Sequence, residues 1–199
     1  MTVPPKKTAL VTGAAQGIGK AIALRLAEDG FAVGLNDIKD NTENLEAVAD
    51  TIKAKGGIAT IHIADVSVES QVATMISNVV ELHHKIDVLV ANAGVCKYAG
   101  YCASKFAVRG LVQAAAHEFG PHGITVNAYA PGAIDTDMCN ALSRDNSAGM
   151  TSKAMQAGSA LGITGTTADV AHLVSYLASD SSRFLTGQSV SINGGLYFD

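Results

Sequence analysis

The sequence predicts an α/β protein built on one doubly wound parallel sheet. Three observations predict it. Short apolar runs alternate with stretches of helical periodicity along most of the 199 residues. A glycine-rich stretch separates the first such run from the first helix, and the second run ends in an aspartate, Asp37. Alternation of this kind implies strands joined by helical crossovers, hence a parallel sheet covered on both faces.

Taken in order, Thr8–Thr12 is the first apolar run. Ile18, Ile22 and Leu26, with Ala23 and Ala27, recur at helical spacing, and Gly30 closes that helix. Residues 31–35 form a second strand running into Asn36 and Asp37. Leu45, Val48, Ala49 and Ile52 mark a second helix that Gly56 and Gly57 stop. Residues 58–66 read as a third strand, and Ser67 as the N-cap of a helix carrying Val72, Met75, Ile76, Val79 and Val80. Residues 86–91 read as a fourth strand and 101–119 as a helix halted by Gly120 and Pro121. A strand over 124–130 leads into Pro131 and Gly132. Residues 135–167, rich in Ser, Gly and Met, read as an irregular, mobile flap. A helix over 170–177 and a strand over 188–192 complete the pattern. With no internal repeat and no linker, residues 1–199 read as one domain.

Composition narrows the function classes. Hydrophobic residues make up 48% and charged residues 16%, which suits a globular core. The net charge is −4 and Lys6-Lys7 is the sole adjacent basic pair, so nucleic acid is not an expected partner. No apolar run approaches membrane-spanning length and no leader pattern stands at the start, so a cytoplasmic protein is expected. Cys96, Cys102 and Cys139 lack metal-ligand spacing and read as reduced thiols, with no metal expected.

The chemistry begins at Thr12-Gly-Ala-Ala-Gln-Gly-Ile-Gly19. Glycine lets the backbone turn sharply there and approach a pyrophosphate, while the helix N-terminus offers N–H groups and partial positive charge to the anion. Asp37 follows Gly19 by 18 residues. At the carboxyl end of the second strand its carboxylate can accept from the adenosine ribose hydroxyls and repel a 2′-phosphate, which argues for NAD(H) over NADP(H).

Further motifs follow in a fixed order: Asp65-Val66 after the third strand, Asn92-Ala93-Gly94 after the fourth, Tyr101-x-x-x-Lys105, and Pro131-Gly132 with Thr136. Together with the glycine-rich turn they resemble the short-chain dehydrogenase/reductase family, over nearly the whole chain. The stretches at 20–26, 29–33, 104–111, 176–179 and 186–189 are similar to acetoin/diacetyl reductases, also called 2,3-butanediol dehydrogenases. The resemblance implies a Rossmann-type fold and a role for each matching residue. Gly13, Gln16, Gly17, Ile18 and Gly19 would hold the pyrophosphate and adjoining ribose, and Asp37 the adenosine ribose. Asp65 and Val66 would flank the adenine, and Asn92, Ala93 and Gly94 would line the coenzyme's floor. Pro131, Gly132, Ile134 and Thr136 would hold the nicotinamide end. The expected substrate is a small ketone, diketone or secondary alcohol.

Tyr101 and Lys105 lie four apart, on one helical face. A tyrosine hydroxyl with an ordinary pKa of about 10 is a poor acid at neutral pH, and a neighbouring ammonium stabilises its phenolate. Tyr101 could then pass a proton to a carbonyl oxygen, with Lys105 also on the nicotinamide ribose. The family places a helix and a strand ahead of this tyrosine, delivering an asparagine and a catalytic serine. Those elements need roughly 25 residues or more, and only six, residues 95–100, are present. A whole βα unit is therefore expected to be absent. The resemblance also implies a homo-oligomer, but one of the two helices of the family's usual interface belongs to the absent unit. Two readings stand open: an active dehydrogenase, or a coenzyme-binding protein impaired in catalysis.

Overall fold

The computed structural model describes residues 6–93, 98–137, 139 and 152–198. The chain falls into two compact units, residues 1–94 and 95–199.

The first unit is a βα succession: β1 (Thr8–Thr12), α1 (Gly17–Glu28), β2 (Ala32–Asp37), α2 (Thr42–Ala54), β3 (Ile58–Ile63), α3 (Glu69–His83) and β4 (Val88–Val90). Its strands form one parallel sheet in the order β3-β2-β1-β4. Every residue of β1 and β2 is buried, as befits central strands covered on both faces. The chain moves outward from β1 through β2 to β3, then crosses back to β4. With right-handed crossovers, that reversal places α3 on the opposite face from α1 and α2. Leu10 and Ala64 pack with Met75 and Val79 of α3. Gly34 makes room for this helix, since a Cβ there would stand 3.2 Å from Leu10 and 3.5 Å from Val79.

Helices α1 and α2 end alike. The N–H groups of Phe31 and Gly30 donate to Leu26 O (3.0 Å) and Ala27 O (3.1 Å). Those of Gly57 and Gly56 donate to Ile52 O and Lys53 O, both at 2.9 Å. These are Schellman closures, and Gly30 (φ 95°) and Gly56 (φ 78°) supply the left-handed residue each requires. The third helix starts differently from the sequence expectation. Its N-cap is Val68, and the Ser67 hydroxyl donates instead to Asp65 Oδ1 at 2.7 Å. An acidic neighbour two residues away captures the donor locally, so it turns away from the helix.

The second unit holds α4 (Tyr98–Phe119), β5 (Ala128–Pro131), α5 (Ser152–Gly158), α6 (Thr167–Leu177) and β6 (Ser189–Ile192). β5 and β6 pair in parallel, Ala128 opposite Ser189 and Pro131 opposite Ile192. Among the described residues the strands pair as a four-stranded parallel set in the first unit and a two-stranded parallel set in the second, in keeping with the parallel α/β class that the sequence predicts. Residues 135–167 are not uniformly irregular: they contain α5, and Ile134 bridges Gly165. Thr166 opens α6 with a capping box, its hydroxyl accepting from Asp169 N (3.3 Å) while Asp169 Oδ2 accepts from Thr166 N (2.7 Å). Among the described residues no helix is long and apolar enough to cross a membrane. Cys139 is a free thiol; Cys96 and the side chain of Cys102 lie outside the description.

Candidate functional site

The glycine-rich turn leaves β1 at Thr12. Gly13 (φ 63°) and Gly17 (φ 56°) adopt left-handed backbone that a side chain would strain. Gln16 is the N-cap of α1, but its side chain makes no capping bond, and the first turn holds no acid. Lys20 N–H donates to Gln16 O at 3.2 Å. The N–H groups of Gly17, Ile18 and Gly19 therefore stand ahead of the intrahelical ladder, where an anion is favoured. Gln16 and Gly17 are exposed at this end, while Ala14 and Ala15 are buried. Gly19 has another reason to be glycine: a Cβ there would lie 2.0 Å from Gly13 O and 2.6 Å from Asn92 Nδ2. It packs the helix against the turn.

Asn92 and Ala93, just past β4, are tied to that turn. Thr12 Oγ1 accepts from Asn92 N (3.0 Å) and Ala93 N (3.1 Å) and donates to Val90 O (3.4 Å). Asn92 Nδ2 donates to Thr12 O at 3.0 Å. Thr12 thus fastens the ends of β1 and β4 together, a role that sequence reading misses because a threonine closing a strand carries no signal of its own. Gly94 lies outside the described residues.

Asp37 sits at the carboxyl end of β2, 9% exposed. Its Oδ2 accepts from Ala15 N at 3.1 Å. Its Oδ1 accepts from Ile38 N at 2.9 Å and Asn41 Nδ2 at 2.8 Å. A carboxylate has about four acceptor positions. Three are engaged, so Asp37 retains about one for a ribose hydroxyl and is also a brace for the glycine-rich turn. The neighbouring Asn36 Nδ2 donates to His62 O (2.9 Å) and Ala64 O (3.1 Å), anchoring the end of β3.

Asp65 and Val66 lie beyond β3, which ends at Ile63, and both are exposed. The Ser67 hydroxyl and N–H bonded to Asp65 Oδ1 hold its carboxyl below the usual aspartate range. Gln71 Oε1 accepts from Asp65 N at 2.8 Å, so this turn is built from both sides.

The other candidates belong to the second unit. Gly132 is glycine because a Cβ would stand 2.8 Å from Asn193 Cα, and its N–H donates to Ile192 O at 3.1 Å. Pro131 is exposed and Ile134 is 5% exposed. Thr136 Oγ1 donates to Ile134 O at 3.3 Å and accepts from Cys139 N at 3.3 Å, curling the segment after β5 back on itself. Tyr101 and Lys105 fall on α4, four residues apart; their side chains lie outside the description.

A parallel sheet, a glycine-rich turn at a helix start and a carboxylate closing β2 together define a Rossmann-type nucleotide-binding architecture. The chain matches the short chain dehydrogenase family profile over residues 7–99 and the enoyl-(acyl carrier protein) reductase profile over residues 95–197. It is 38% identical to a short-chain dehydrogenase/reductase of Armillaria gallica, across 100% of this chain and 98% of the relative. It is 35% identical to the 3-oxoacyl-[acyl-carrier-protein] reductase FabG of Staphylococcus epidermidis, across 96% and 99%. A short chain dehydrogenase from Burkholderia cenocepacia, solved in complex with NADP, is 29% identical with a TM-score of 0.86, covering 98% of this chain and 99% of that one. A blue fluorescent protein from a metagenomic library, in complex with NADPH, is 27% identical with a TM-score of 0.87, covering 96% and 98%. This chain belongs to the short-chain dehydrogenase/reductase family, a family of oxidoreductases.

Proposed function

We propose that this chain binds NAD(H) and derives from a dehydrogenase of small ketones, diketones or their secondary alcohols, with Tyr101 as proton donor and Lys105 beside it. The observation that carries the coenzyme reading is Asp37, a buried carboxylate held by Ala15 N and Asn41 Nδ2 at the end of β2. A 2′-phosphate brought to it would meet fixed negative charge. The turn fits the rest of a dinucleotide. Gly13, Gln16, Gly17, Ile18 and Gly19 would form the pyrophosphate cradle, Asp65 and Val66 the adenine wall, and Asn92 and Ala93 the floor, with Gly94 beside them. Pro131, Gly132, Ile134 and Thr136 would serve the nicotinamide end. NADP(H) is the second reading, favoured by the two solved relatives that carry NADP and NADPH.

When bound, the coenzyme would supply or accept a hydride at the substrate carbon. Tyr101 would deliver the proton to the oxygen, with the Lys105 ammonium stabilising its phenolate. Turnover is expected to be very weak, because no room remains before Tyr101 for the strand that bears the family's serine. Three observations support that reading. The alignment with the Armillaria relative runs over 257 positions and takes in all of this chain, 58 positions more than its 199 residues. The two family profiles meet at residues 95–99, within the same six-residue stretch 95–100. And β4 stands at the edge of its sheet with Leu89 57% exposed, whereas the central strands β1 and β2 are buried throughout.

Calorimetric titration with NADH and NADPH tests the coenzyme, and steady-state reduction of diacetyl and of a 3-oxoacyl thioester tests the chemistry. The expected result is tighter NADH binding with little or no turnover. Equal or tighter NADPH binding would overturn the assignment of Asp37. Turnover near the common enzyme rate of about 10 per second would overturn the reading of the missing segment.

A further inference from the structure

Asn41 stands at the N-cap of α2, where asparagine is a favoured residue because its side-chain oxygen accepts a helix N–H. Here it makes no such bond. Its amide instead points Nδ2 at Asp37 Oδ1, 2.8 Å away. The reverse orientation would set a carbonyl oxygen against a carboxylate, so the amide is fixed the way it lies. The intervening residues form a single 3-10 turn in which Asn41 N–H donates to Ile38 O at 3.0 Å, and this turn brings position 41 back to the end of β2. Asp37 Oδ1 is then held from two directions, by Ile38 N and Asn41 Nδ2, which leaves Oδ2 aimed at Ala15 N of the glycine-rich turn.

We propose that Asn41 is a specificity-determining positioning residue: it forgoes helix capping to lock Asp37 in the rotamer that braces the phosphate-binding turn and presents negative charge to the ribose 2′ position. The inference rests on the coenzyme reading above for its functional half. Without Asn41 the carboxylate keeps the Ile38 N–H but loses its side-chain donor, so it can rotate about χ1 and release Ala15 N. A free carboxylate binds the ribose hydroxyls less well, because it must be ordered at the moment of binding, and it can swing away from a 2′-phosphate.

Two variants separate this from a capping role. Asn41→Ala removes the donor. Asn41→Asp keeps a strong N-cap residue and adds negative charge at a helix N-terminus, which favours the helix, but sets carboxylate against carboxylate at Asp37. Binding of NADH and NADPH is measured by calorimetry, thermal unfolding by circular dichroism, and hydrogen exchange of the Ala15 amide by NMR in the absence of coenzyme. Positioning predicts that Asn41→Ala weakens NADH by roughly tenfold and NADPH less, so the preference narrows, and that Ala15 exchanges faster. It predicts that Asn41→Asp loses NADH at least as severely while its melting temperature holds. If both variants bind NADH as the parent does and Ala15 exchange is unchanged, Asn41 does not position Asp37 and the proposal fails. If the parent binds neither coenzyme, the coenzyme reading fails, and the exchange of Ala15 alone still decides whether Asn41 locks Asp37.

Discussion

Single atoms decide much at the residue scale. At Gly19 a side chain would push the helix off the glycine-rich turn, because the atoms it would meet are Gly13 O and Asn92 Nδ2. A Cβ at 2.0 Å from Gly13 O meets backbone, which cannot swing aside. Gly19→Ala should therefore cost about 3 kcal/mol of stability, read as a lowered denaturant midpoint with an unchanged slope. An unaltered midpoint would mean that the turn relaxes freely. His62 gives a second residue-scale expectation. It is 7% exposed, and its Nε2 lies 2.9 Å from Thr60 Oγ1, which also meets His83 Nε2 at 3.0 Å. Burial foremost, and then the neighbouring His83, lowers the His62 pKa below 6.5. Below pH 6.5 the unfolded chain takes up a proton that the native imidazole resists, so the unfolded state binds more protons and stability falls as pH drops. His83, lowered by burial and by His84, adds in the same sense. Chemical denaturation at pH 7.5 and 5.5 should show the loss, and His62→Gln should shrink the difference between the two pH values. An identical difference in the variant would remove His62 from the account.

Among the elements, the helix ends carry the testable energies. Gly30 ends α1 at φ 95°, and a Cβ there would meet nothing within 4 Å. Gly30→Ala thus isolates the left-handed backbone penalty, about 1 kcal/mol, or roughly 2–4 °C in melting temperature for a chain of this size. Thr166→Ala removes the hydroxyl half of the capping box on α6 and should cost about 1 kcal/mol. A Thr166→Ser variant should recover most of it. Should Ala and Ser prove equal, the box is incidental. The edges of these helices were legible in sequence because Gly30 and Gly56 are local chemistry. Ser67 was not: its choice between capping α3 and bonding Asp65 depends on a turn closed by Gln71.

The whole molecule raises the question of activity. Tyr101 and Lys105 share α4, and on the function proposed above the six residues 95–100 are too few for the segment that would set a second hydrogen-bond donor beside the substrate oxygen. Loss of one such donor alone lowers rates by about 10²–10³. Grafting the segment of the Armillaria relative between Val95 and Tyr101 should raise diacetyl reduction by orders of magnitude, and Tyr101→Phe in the grafted protein should abolish it again. A graft that folds and binds NADH but remains inert would show that the short stretch before Tyr101 is not what limits turnover.

The sequence by itself determined the parallel α/β class, the order of the elements from β1 to β4, the glycine-rich turn and the placing of Asp37 at a strand end. Each of these is written in short-range signals: apolar period, glycine at a turn, a carboxylate after an apolar run. Only the tertiary structure decided how those residues are used. Thr12 binding Asn92 and Ala93 joins positions about 80 residues apart. Asp37 bracing Ala15 spans 22. Asn41 reads as a helix cap in one dimension and becomes a clamp in three, because an amide beside a buried carboxylate gains more from that charge than from an exposed helix N–H. Hydrogen-bond partners are chosen by distance in space, and no local pattern records that choice.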